Sequence, residues 1–135
     1  MEHKCSSKKG KVMKKIDSLN NKDIKLAMKL LNNKEYKKAH KKLLKLANAG
    51  SARAQYALGL LYHNGDGCPM DYISATHYFK LSAMQMFEPA MYCYAVELGL
   101  GRGTEQCAEC AMALMEETAA LGYPEAIEFY QGSAS

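Results

Sequence analysis

Ala54-Gln55-Tyr56-Ala57-Leu58-Gly59-Leu60-Leu61-Tyr62-His63-Asn64-Gly65-Asp66-Gly67-Cys68-Pro69-Met70-Asp71-Tyr72 contains the end of one helix, a reversal and the start of another. The apolar residues before Asn64 suit a buried helix. Gly65 and Gly67 can take positive φ, which the chain needs where it turns back. Pro69 stops the first helix from continuing, and Asp71 is a predicted N-cap for the next. The stretch therefore joins two helices, Ala52–Asn64 and Asp71–Met86, into a hairpin.

A shift of 36 residues carries Gly65 onto Gly101 and Gly67 onto Gly103. The same step relates Ala39, Ala75 and Ala111, then Ala47, Ala83 and Ala119, then Ala54, Ala90 and Ala126. Leu43, Phe79 and Met115 follow one turn after the first triplet. Small residues permit close helix crossings, and large ones fill the holes beside them. Self-similarity at this period is the mark of a helical repeat array. The third hairpin is Pro89–Leu100, Gly101-Arg102-Gly103 and Glu105–Leu121. Gly122, Pro124 and Ala126 open one more helix that ends near Tyr130. Upstream, Ile24, Ala27, Met28 and Leu31 form one apolar face. Asn32-Asn33 breaks it. Tyr36, Ala39, His40, Leu43, Leu44 and Ala47 form a second face, closed by Gly50 as a left-handed terminator. The reading is an all-α solenoid over residues 21–131. It has about three hairpins (22–49, 52–86 and 88–121) and a terminal helix at 124–131. No hairpin has enough core to fold alone, so stability comes from stacking. Residues 1–20 read as a disordered basic tail, with a faint helical pattern at Val12, Met13 and Ile16.

The net charge of +4 hides an uneven distribution. Residues 1–53 carry fifteen lysines and Arg53 against four acids, a surplus of +12. Residues 54–135 carry Lys80 and Arg102 against ten acids, a deficit of −8. Such asymmetry suits an anionic partner at the basic end, although a lysine-rich helix also serves solubility. Lys37, Lys38, Lys41, Lys42 and Lys45 are the candidate patch. Tyr36 is the sole aromatic residue interleaved with them, which argues against sequence-specific nucleic-acid reading. No run of apolar residues is long enough for a membrane span, and the lysine-rich start is not followed by an apolar stretch. A cytoplasmic location is the expectation.

The quoted stretch resembles the Sel-one-like repeat (SLR) family, a relative of the tetratricopeptide repeat. The resemblance rests on Ala54, Leu58, Gly59, Tyr62, Gly65, Gly67, Asp71, Ala75, Tyr78 and Ala83. A second copy keeps Ala90, Gly101, Gly103, Ala111, Ala119, Ala120 and Gly122. In it Ala95 replaces the helix glycine, Leu98 the tyrosine and Cys107 the aspartate. The first hairpin lacks the Gly-x-Gly connection and is more tetratricopeptide-like. The resemblance implies a right-handed α-α superhelix with a concave groove lined by the first helix of each hairpin. It also implies adaptor roles. By position, Arg53, Tyr56, Leu60, His63 and Asn64 face that groove, and Tyr92 and Val96 follow on the repeat shift. Tyr56 and Tyr92 could equally pack on the neighbouring hairpin; the groove reading is preferred. A cysteine-rich secreted branch of the family is stapled by disulfides, and some members are linked to β-lactam binding or hydrolysis. Met84 and Ala120 stand here where the first cysteine of each pair would fall, so that activity is not carried over.

The chain has five cysteines, Cys5, Cys68, Cys93, Cys107 and Cys110. Cys107-Ala108-Glu109-Cys110 is a C-x-x-C. At a helix N-terminus this spacing depresses the first thiol's pKa, but no strand precedes it. Zinc needs four ligands, and His77 would have to supply one from another hairpin than that of Cys93 and Cys110. Cys93 could face Cys110 across the third hairpin. Plain buried thiols are the preferred reading, ahead of a disulfide or redox role and of metal. His40 lies on the apolar face and reads as a satisfied core histidine. Glu116-Glu117 reads as an exposed face. No catalytic residue, metal site or cofactor is assigned. The expected function is a non-enzymatic protein-interaction scaffold that grips a peptide or helix in its groove. The alternatives are tethering of the basic half to nucleic acid or an anionic membrane, and a cysteine-based redox or metal role. Ile127, Phe129 and Tyr130 on the last helix add the expectation of a homodimer through that end.

Overall fold

The computed structural model describes residues 21–134, with the side chains of Asn21, Tyr130 and residues 132–134 excepted. The expectations for residues 1–20 lie outside the described residues. Seven helices follow one another: α1 (Asn21–Asn32), α2 (Tyr36–Asn48), α3 (Ala52–Asn64), α4 (Tyr72–Ala83), α5 (Glu88–Leu100), α6 (Ala108–Ala120) and α7 (Pro124–Ala134). Among the described residues there is no strand. The principal contacts run between consecutive helices, as stacked hairpins require.

The repeat positions are the core. Ala39, Ala54, Ala75, Ala90 and Ala126 are fully buried, and Ala47, Ala83 and Ala111 nearly so. Leu43, Phe79 and Met115 are 0%, 1% and 4% exposed, so each large side chain fills the hole beside its alanine. Gly59 shows how tight the crossing is: a Cβ there would lie 2.7 Å from the Phe79 ring. One repeat later the pair is Ala95 and Met115, a methyl under a flexible thioether.

The Gly-x-Gly turns lock one hairpin onto the next. A Cβ at Gly67 would collide with the Tyr36 backbone, and one at Gly103 with the Tyr72 backbone. Tyr36 and Tyr72 each open the second helix of the preceding hairpin and lie 36 residues apart. Side chains reinforce the register. The Thr76 hydroxyl donates to the Arg102 carbonyl at 2.9 Å, and the Ser82 hydroxyl to the Ala52 carbonyl at 2.7 Å. Gln85 donates to Gly50 O at 3.0 Å and to Gln55 Oε1 at 2.8 Å. Asp71 caps α4 by accepting from the Ile73 and Ser74 amides.

Several boundaries differ from the sequence reading. Helix α4 ends at Ala83 rather than Met86. Met86 takes φ 63° at the place where the other hairpins have Gly50 (φ 102°) and Gly122 (φ 91°). The apolar character of Met84 and Met86 hid a chain reversal. Helix α6 starts at Ala108 rather than Glu105, because Cys107 is its N-cap. Helix α7 continues to Ala134.

The cysteine reading is corrected. Cys107 and Cys110 are joined in a disulfide, with Cα atoms 5.2 Å apart, where plain thiols were expected. An i, i+3 step across a helix start brings both sulfurs to one side. Cys93 therefore does not face a Cys110 thiol; it remains free, as does Cys68. The expectation for His40 is also corrected. Its ring meets Tyr62 edge-on at 5.1 Å, but buried Nε2 has no hydrogen-bond partner among the described residues. Burial lowers its pKa below 6.5.

Candidate functional site: a cleft between successive hairpins

Helices α3 and α5, the first helices of successive hairpins, leave a cleft of about 250 Å³ between them. Leu60 and His63 form one wall, and Tyr92, Cys93, Val96 and Glu97 the other. These residues recur three and four apart along each helix, so one face of each presents them. Phe79 of α4, 1% exposed, lies at the floor. Arg102, from the Gly101-Arg102-Gly103 turn, closes one end.

That end holds a charged group in fixed geometry. Arg102 donates to Glu97 through Nε at 2.7 Å and Nη2 at 2.8 Å, a two-bond fork. The Glu97 side chain is only 4% exposed, and that of Arg102 is 35% exposed. The guanidinium carbon stands 4.8 Å from the Tyr72 ring centroid, a cation–π distance. Arg102 Nη2 also lies 3.3 Å from His63 Nε2, while His63 Nδ1 lies 3.2 Å from Asn64 Oδ1. All these contacts are satisfied when Nδ1 carries the histidine proton and Nε2 accepts. The bond to Glu97 raises the Arg102 pKa further, so the guanidinium stays charged. His63 Nε2 also lies 3.6 Å from Glu97 Oε1, and the Arg102–Glu97 fork by itself carries one positive and one negative charge.

Towards the other end, the Tyr56 hydroxyl and the Cys93 thiol are neighbours that perturb each other. Burial, and then the neighbouring Cys93, push Tyr56 up to about 12. Burial, with Glu97 adding to it, pushes Cys93 up to about 11. Cys93 is therefore a thiol at neutral pH, and the cleft holds no activated nucleophile there.

The residues singled out from the sequence separate into groups. Leu60, His63, Tyr92 and Val96 line the cleft together. Tyr56 packs its ring on Phe79 and Phe87 at 6.1 and 5.5 Å, beside the cleft rather than in its wall. Arg53 and Asn64 are exposed, with Asn64 reaching the site through His63. Phe79, Cys93, Glu97 and Arg102 were not assigned to the cleft. A signal for two of them was present: the repeat shift places Glu97 on buried Leu61, and a buried acid demands a cation such as Arg102.

Two further clefts exist. Lys38, Lys41, Lys42 and Lys45 line one of about 310 Å³ between α1 and α2, with Asp23, Leu30 and Leu46. Lys42 is bound to Asp23 there at 2.9 Å. Lys37 is exposed and does not line it. The other, about 300 Å³, is apolar and lies at the C-terminal end, among Tyr92, Val96, Leu100, Met112, Met115 and Phe129.

No protein-family model and no curated protein matches the chain. Solved structures do. A Sel1 repeat protein from Oxalobacter formigenes superposes with TM-score 0.76 at 24% identity, over 90% of this chain and 96% of that one. The chain has an SLR fold. A protective antigen of uropathogenic Escherichia coli displaying an SLR fold gives TM-score 0.73 at 23% identity, over 77% of this chain and 23% of the antigen. Helicobacter pylori cysteine rich protein B gives 0.67 at 19% identity, over 81% and 92%. At these identities the likeness concerns architecture. An SLR fold is a helical-repeat scaffold. Among the described residues, no helix is long and apolar enough to cross a membrane, and no group of three or more His, Cys, Asp or Glu is placed to hold a metal.

Proposed function

We propose that the chain is a non-enzymatic adaptor that holds a peptide segment in the cleft between α3 and α5. The observation that carries this reading is the cleft's composition. Leu60, Phe79, Tyr92 and Val96 offer an apolar seat, and the Arg102–Glu97 fork at its end is already neutralised. Such a site favours an uncharged apolar side chain. It disfavours phosphate, which would have to compete with Glu97 for Arg102. Aromatic residues and arginine are also the usual anchors of protein interfaces.

Random peptide display on the full chain tests the proposal. Enriched sequences should share a Leu, Met or Phe anchor, and Leu60→Arg, which does not touch the C-terminal cleft, should lose them while keeping the helical circular-dichroism signal. Enrichment that survives Leu60→Arg undiminished would overturn it.

A second reading keeps one specific observation. Four lysines line the α1–α2 cleft, which suits a polyanion. Counter-ion release then gives binding that weakens steeply with salt. Anionic vesicles and nucleic acid, each titrated at low and at physiological salt, decide it. Lys38→Glu/Lys41→Glu should abolish any such binding and leave peptide capture intact.

A further inference from the structure

The repeat shift places Cys107 on Asp71. Both residues are N-caps with extended backbone, at φ −143° and −149° respectively. Asp71 accepts from the amides of Ile73 and Ser74, and from the Ser74 hydroxyl at 2.7 Å. The Ser74 hydroxyl first, and the Ser74 and Ile73 amides with it, lower its pKa; of these donors the i+3 amide is the one that recurs at Cys107, and it favours an anion there. Cys107 sulfur accepts from the Cys110 amide at 3.2 Å, in the same i, i+3 geometry as Asp71 and Ser74. Cys110 is exposed and Cys107 half-buried, so a small thiol can approach the pair from the Cys110 side.

We propose that Cys107–Cys110 is a working thiol–disulfide couple that exchanges with small-molecule thiols of the glutathione class, with Cys107 as the capped thiolate. The steps follow from the geometry. An external thiolate attacks Sγ of exposed Cys110. The Cys107–Cys110 bond breaks, and its electron pair leaves on Cys107, where the helix start accepts the negative charge. The result is a mixed disulfide on Cys110. A second external thiolate attacks the external sulfur of that bond, releasing Cys110 as a thiolate that takes a proton from water. Two external thiolates have become one external disulfide, and the protein has gained two electrons. Oxidation runs the same steps in reverse: the Cys110 thiolate attacks the external disulfide, and the Cys107 thiolate then attacks Cys110 Sγ and releases the second external thiolate. Cys68 and Cys93 do not compete, because burial raises both thiols. The inference is independent of the α3–α5 cleft, and either can fail alone.

The test equilibrates the full chain with defined ratios of reduced to oxidised glutathione and locates each thiol by peptide mass spectrometry. The expected result is a reversible two-electron transition that makes and breaks an internal disulfide in the peptide with Cys107 and Cys110. In the two single-substitution variants, Cys107 in Cys110→Ser should have an alkylation profile midpoint, read on its own peptide, on the order of one pH unit below that of Cys110 in Cys107→Ser. Cys107→Asp separates the couple from capping: it should melt at or above the wild-type temperature and form no internal disulfide, its Cys110 going only as far as a mixed disulfide with glutathione. A pair that stays fully reduced or fully oxidised across the glutathione range overturns the proposal. So does a Cys107 midpoint at or above that of Cys110.

Discussion

Hairpins α3–α4 and α5–α6 share one backbone path and differ in what hangs on it. In the earlier hairpin the polar positions serve the fold. Asp71 caps a helix, Leu61 fills the core, and Thr76 and Gln85 tie neighbouring hairpins together. In the later hairpin the corresponding residues are Cys107, Glu97, Met112 and Leu121. A cap has become half of a disulfide, and a core leucine has become a buried acid held by Arg102. Stacking tolerates these exchanges because the alanine crossings and the Gly-x-Gly contacts are kept. The fold resides in the small residues, which leaves the polar ones available for chemistry.

The largest effect should come from separating the ion pair. Arg102→Leu strands Glu97 in the core and should cost about 3 kcal/mol in denaturant unfolding. Glu97→Leu restores the earlier hairpin's residue, and the double variant Glu97→Leu/Arg102→Leu should lie within about 1 kcal/mol of wild type. A double variant as unstable as Arg102→Leu would show that the pair is not the reason for the loss. Next comes the crossing. Gly59→Ala copies Ala95 but meets the Phe79 ring at 2.7 Å, and should cost about 2 kcal/mol. Adding Phe79→Met, which copies Met115, should recover part of that loss. Simple additivity of the two would break the comparison.

The first hairpin extends the comparison to pH. His40 occupies the position of Thr76, but its buried Nε2 lacks the bond that Thr76 makes. Its pKa is lower folded than unfolded, so the unfolded chain binds more protons just below pH 6.5. Stability is therefore full above that pH and falls as the pH drops through the window between the two values. His40→Thr should flatten the decline in melting temperature between pH 7 and pH 5. An unchanged slope would assign the acid sensitivity to another group. The smallest effect should come from Met86, the one hairpin junction without glycine. Met86→Gly removes a left-handed side-chain penalty and should stabilise by about 0.5 kcal/mol, or raise the melting point by about 2 °C.

The repeat was legible because its signals are local and recur: alanine triplets, paired glycines and a large residue one turn on. The ends of α4 and α6 were harder to see. Met86 reverses the chain without glycine, and Cys107 caps a helix without looking like a cap. The cleft was half legible. Leu60, His63, Tyr92 and Val96 follow from helical spacing on the repeat shift. Glu97 and Arg102 depend on a turn that folds back over its own helix, which periodicity does not encode. His40 looked like a satisfied core residue because a sequence shows that a residue is inward, not whether its nitrogen finds a partner.

The adaptor reading rests on one cleft, and methyl NMR tests it residue by residue. The chain is labelled at leucine and valine methyls and titrated with a display-selected peptide. Shifts concentrated at Leu60 and Val96 are the predicted result, with the Val96 shift lost in Leu60→Arg. Shifts centred on Leu30 and Leu46 at the lysine cleft, or on Leu100 and Val96 at the C-terminal cleft, with Leu60 unmoved, would contradict it.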